Sequence, residues 1–115
     1  MGTVYIPQAF PYLMMKLHAF EDRKEDGNKD LGRHHALDLY TIVGMMTERE
    51  YERAKELCTE HTADEYVRRA CTTVRNHFVS RTAVGILRLR EHKLFRDEFL
   101  LEEFMSVLGE IFAGE

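Results

Sequence analysis

The stretch Thr47-Glu48-Arg49-Glu50-Tyr51 and its later echo Thr62-Ala63-Asp64-Glu65-Tyr66 decide how this chain is read. Each places a threonine three residues before a glutamate. In that arrangement the hydroxyl and the carboxylate satisfy the first free N–H groups of a helix. Residues at helical spacing follow each signal. Tyr51, Ala54, Leu57, Cys58 and His61 share a face after the first. Tyr66 or Val67, then Ala70, Cys71, Val74 and Phe78 share one after the second. Two consecutive amphipathic helices are therefore expected, starting at Thr47 and Thr62.

The same periodicity extends in both directions. Towards the N-terminus it predicts a helix over Arg33–Met46 with Ala36, Leu39, Tyr40, Val43 and Met46 inward, and another over Pro11–Arg23. The second carries Phe10, Leu13, Met14, Leu17 and Phe20, with Pro11 suited to a first turn where its missing N–H is not needed. Asp26-Gly27-Asn28 breaks the chain between these two helices, within a charged stretch. Thr3 to Ile6 reads as extended and is stopped by Pro7. Towards the C-terminus, Asp97 or Glu98 opens a last helix with Leu101, Phe104, Met105, Leu108, Ile111 and Phe112 inward and Gly114 past its end. Ser80 to His92 leaves two readings, a short helix capped by Thr82 or an extended segment, because Gly85 weakens a helix there. The expectation is an all-α, bundle-like single domain of about five helices with a short extended N-terminal segment.

Composition agrees. The 115 residues are 44% hydrophobic and 31% charged, which suits a globular domain and not a disordered one. Two prolines and seven glycines are too few for the turns of a many-stranded sandwich or barrel. The net charge of -4 argues against a general nucleic-acid binder. No apolar run approaches the roughly 20 residues of a membrane span, and the first residues lack the charge and apolar core of a signal peptide. A cytoplasmic, reducing location without membrane association is expected.

The stretch from Lys16 to Asp38 is richest in candidate chemistry. Lys16 and Arg23 are two helical turns apart and share a face. Lys16 interrupts an apolar run, and Asp38 stands between Leu37 and Leu39. An ionic link from Asp38 to Lys16 or Arg23 satisfies both interruptions. The alternative is that Lys16 extends to solvent and Asp38 favours the positive end of its helix. His34, His35 and Asp38 are weak metal candidates, since three or four convergent ligands are needed and adjacent histidines diverge on a helix. Cys58, Cys71, His61 and His77 fall on or near apolar stripes, where core roles are the simpler reading. Glu102 and Glu103 suit a solvated face, and no glycine-rich phosphate loop is present.

The run Met14-Met15-Lys16-Leu17-His18-Ala19-Phe20, then Arg23, Lys29-Asp30 and His35-Ala36-Leu37-Asp38-Leu39-Tyr40, resembles the C-terminal motifs of the AbiEii/AbiGii-type nucleotidyltransferases, many of them toxins of toxin–antitoxin systems. Lys16, Ala19 and Arg23 match the first motif, and Asp38, Leu39 and Tyr40 the second. Val4-Tyr5-Ile6-Pro7 looks like the last core strand leading into that helix, so the likeness runs from Val4 to Met46. It implies Lys16, Arg23 and Asp38 as family-matched site residues. The chain departs from the family in having no Gly-Ser motif and no Asp-x-Asp, in inserting Glu25 to Arg33, and in placing His35 where an acid stands, although Asp30 is an alternative acid. Those acids hold the metal ions that neutralise phosphate charge during transfer.

Three functions follow as expectations. The first is a non-catalytic helical module that needs no cofactor and acts as a homodimer or through a protein partner. The second is a nucleotidyltransferase component completed by a missing N-terminal domain or partner chain. The third is a metal-dependent hydrolase using His34, His35 and Asp38.

Overall fold

The structure is a computed structural model that describes residues 9–23, 30–92, 94–95 and 100–113. Six helices occur among them: α1 (Ala9–Arg23), α2 (Asp30–Met45), α3 (Glu48–Glu60), α4 (Glu65–His77), α5 (Val84–Glu91) and α6 (Leu101–Ile111). The fold is all-helical over these residues, as the periodicity predicts. The extended segment expected at Thr3–Ile6, the Asp26-Gly27-Asn28 break, the proposed start of the last helix at Asp97 or Glu98, and Gly114 all lie outside the described residues.

Local signals account for some boundaries and miss others. At α3 the capping box forms as expected. Thr47 Oγ1 accepts from the Glu50 N–H at 3.1 Å, and Glu50 Oε1 accepts from the Thr47 N–H at 2.9 Å. At α4 the cap is Asp64, not Thr62, with its carboxylate accepting from the Tyr66 N–H at 2.8 Å. The reason lies in the preceding turn, which returns from the end of α3 through an Asp64 N–H to His61 carbonyl bond of 2.9 Å. That turn delivers Asp64 to the capping position. Helix α2 begins three residues earlier than expected, at Asp30 rather than Arg33.

The largest revision is α5, which resolves the open segment in favour of a helix. Thr82 does not cap it: Ala83 occupies that position and makes no side-chain cap bond. Gly85, which weakens a helix in isolation, is required by packing. A Cβ there would overlap the His77 carbonyl oxygen and stand 2.5 Å from the Phe78 ring. The first turn of α5 can therefore press against the end of α4 only without a side chain at this position.

One core joins all six helices. Helix α1 packs on α2, α3 and α4, while α2 also meets α5 and α6. Phe10, Leu13, Leu17 and Phe20 bury the inner stripe of α1, and Leu101, Phe104, Met105, Leu108 and Ile111 that of α6. Phe78, just beyond α4, is fully buried at the centre. Its ring meets Phe20 edge-on at 4.9 Å and Phe104 at 6.2 Å. Burial of one such aromatic side chain contributes about 1.5–3 kcal/mol. His61 departs from its expected stripe: it is exposed, because α3 ends at Glu60 and His61 caps it.

Candidate functional site

The inner stripe of α1 fixes which way Lys16 points. Leu13 and Leu17 are fully buried, and Lys16 lies at the margin of that stripe, facing α2. On α2, Ala36 and Leu39 are buried and set Asp38 at the corresponding margin. The two charges meet with Lys16 Nζ 2.7 Å from Asp38 Oδ2. The lysine side chain is 16% exposed and the carboxylate 44%, so the pair is half in water. The Tyr12 ring, one turn earlier on α1, lies 5.7 Å from the same ammonium.

His35 stands one turn before Asp38 on α2. Burial holds its pKa below the ordinary histidine value, Lys16 lowers it further, Asp38 opposes, and His34 and Arg23 add smaller lowering contributions. Its Nδ1 is buried without a hydrogen-bond partner. The structure thus gathers Lys16, His35 and Asp38 into one electrostatic neighbourhood, with Arg23 at the exposed end of α1 within its reach.

His34 belongs to a different junction. Its Nδ1 lies 3.0 Å from Nε2 of His92, just past the end of α5. The proton can be placed by elimination. The Leu94 N–H donates to His92 Nδ1 at 3.0 Å, so that nitrogen is an acceptor. A neutral His92 then carries its proton on Nε2 and donates it to His34 Nδ1. In this tautomer neither facing nitrogen has a lone pair left for a metal ion. Beside it, Arg33 Nε donates to Glu91 Oε1 at 3.0 Å, and Arg88 reaches the same carboxylate at 3.2 Å. This junction ties α2 to α5 by a histidine pair and an ion pair. Among the described residues no group of three or more His, Cys, Asp or Glu is placed to hold a metal ion.

His92 and Glu91 carried no sequence signal. They follow the short helix whose existence the sequence left open, and their partners stand 58 residues away in the chain. His18 and His77 also serve packing contacts. His18 stacks on Tyr66 with ring centroids 3.9 Å apart and donates to the Tyr66 carbonyl at 2.9 Å, linking α1 to α4. His77 is edge-on to Phe20 and 3.6 Å from Glu21.

No family model matches this chain, and no curated protein or solved structure matches it at a significant level. Among the described residues, no helix is long and apolar enough to cross a membrane.

Proposed function

We propose that this chain is a helical module related to the C-terminal part of nucleotidyltransferase-like toxins, with no transfer activity of its own, and that it acts through a protein partner or a second copy of itself. The observation that carries the reading is the 2.7 Å pair of Lys16 and Asp38. These are two of the three residues that the family likeness singles out, and each is the other's counter-ion. A lysine so engaged serves as an interhelix link before it serves a phosphate. The surface beside it suits a partner: Tyr12 and Met15 flank Lys16 on α1 and are 46% and 51% exposed.

A second reading keeps the same residues as part of a transferase completed by a sheet from another domain or chain. The half-exposed Asp38 carboxylate favours it, since a second polypeptide can reach the pair from solvent. One assay separates the two. The isolated chain, incubated with each labelled nucleoside triphosphate, magnesium, and tRNA or protein acceptors, is expected to form no adduct. Label transfer that disappears in Lys16→Ala overturns the first reading in favour of the second. Light scattering and affinity capture from the source cell test the partner. A single-chain mass at every concentration with nothing captured overturns that element.

A further inference from the structure

Cys58 on α3 and Cys71 on α4 occupy the buried faces that these helices turn to the core, and their sulfur atoms lie 3.8 Å apart. Both are free thiols, 2% and 4% exposed. The chain between them is the end of one helix, a short turn and the start of the next, so the two residues face each other across a helical hairpin. A disulfide needs the sulfurs at about 2.05 Å. Sulfurs already in van der Waals contact across packed helices have little distance left to close. Neither residue takes part in the Lys16–Asp38 site, so the inference stands apart from the functional reading above.

We propose that Cys58 and Cys71 form an intramolecular disulfide favoured by the folded α3–α4 hairpin, a covalent staple that a low-molecular-weight disulfide such as oxidised glutathione closes and the corresponding thiol reopens. One protein thiolate attacks the oxidant, giving a mixed disulfide and releasing one small thiol. The second protein thiolate then attacks the protein sulfur of that mixed disulfide and releases the other. Two protein S–H bonds are replaced by one S–S bond, and the oxidant's S–S bond becomes two S–H groups, so two electrons and two protons pass to the oxidant.

The environment separates rate from equilibrium. Burial, reinforced by the neighbouring Cys71, pushes the Cys58 thiol up to about 12. Cys58 thiolate is therefore scarce at neutral pH, and with the two residues only 2% and 4% exposed an oxidant reaches neither sulfur readily while the hairpin is closed, so attack is slow. The reaction proceeds when the hairpin opens or as it folds, whereas its equilibrium is set by how closely folding holds the two sulfurs. By linkage, the factor by which folding favours the disulfide is the factor by which the disulfide favours folding.

The test equilibrates the full chain in glutathione redox buffers, in native conditions and in concentrated urea, with acid quench, alkylation of free thiols and mass spectrometry. A peptide pair joined through Cys58 and Cys71 is expected, with an equilibrium constant at least about tenfold larger in native buffer than in urea. The oxidised chain is expected to unfold at higher urea than the reduced chain, with a folding equilibrium constant larger by the same factor, and low urea is expected to speed oxidation. Cys58→Ser and Cys71→Ser are each expected to stop at the glutathione adduct. An equilibrium constant in native buffer no larger than in urea overturns the proposal. So does a glutathione adduct as the end product of the natural chain, a disulfide between chains, or an unfolding midpoint that oxidation leaves unchanged or lowers.

Discussion

Phe78 and the Lys16–Asp38 pair both hold helices together, by different physical means. Phe78 is fully buried and contacts the rings of Phe20 and Phe104, so its contribution is apolar area removed from water together with close packing. Lys16 and Asp38 meet at 2.7 Å with the carboxylate 44% exposed, so solvent competes for both charges. The difference teaches where this molecule keeps its stability and where it keeps its chemistry. The aromatic centre is closely packed and dry, so a change of volume there is expected to be costly. The α1–α2 seam admits water, and there the half-buried His35 holds its proton less tightly than an ordinary histidine beside the ion pair.

Truncating the aromatic centre is expected to have the largest effect. Phe78→Ala removes a ring shared by α1 and α6 and should cost about 3–5 kcal/mol, read as a fall in the urea midpoint. A loss no larger than that of a surface variant would show that the centre repacks freely. Gly85→Ala comes next and tests sign as well as size. Helix propensity alone favours alanine there by about 1 kcal/mol. The overlap of a Cβ with the His77 carbonyl and the Phe78 ring predicts destabilisation of about 1–3 kcal/mol instead. A stabilised variant would mean that α5 is not pressed against α4.

Asp38→Ala is expected to be milder, about 1 kcal/mol, because water replaces part of what the half-exposed carboxylate supplies to Lys16. Glu56→Ala, which removes one partner of the exposed Arg53 pair, serves as the control and should be close to neutral. Equal midpoints for the two variants would deny the α1–α2 pair any structural weight. The smallest effect concerns pH. The folded pKa of His35 is lowered, so the unfolded chain binds its proton more readily. The stability contributed by neutral His35 is present above pH 6.5 and is lost as pH falls from there through the folded value. Urea midpoints measured across that range should decline for the natural chain and decline less for His35→Gln. Identical slopes would place the acid sensitivity elsewhere.

How much of this was legible depended on how local the cause was. The Thr47–Glu50 box, the inner stripe of α6 and the buried residues of α1 depend on neighbours within one or two turns, and periodicity locates them. The ionic link of Asp38 to α1 was also legible, because both charges interrupt apolar runs. Its partner was left between Lys16 and Arg23, and the structure pairs Asp38 with Lys16. At α4 the spacing pointed to Thr62 as the cap, and the turn after α3 placed Asp64 there instead.

The amino-acid order by itself determined the all-α class seen over the described residues, the inward faces of the main helices and the charges that line the α1–α2 seam, since each follows from spacing along a helix. Tertiary structure alone decided that Gly85 belongs in a helix, that His34 hydrogen-bonds to His92, and that Cys58 lies against Cys71. Gly85 was misleading because the benefit of its missing side chain exists only where α5 meets α4. The other two contacts join different helices, and pairings of that kind are set by packing, which no local pattern records.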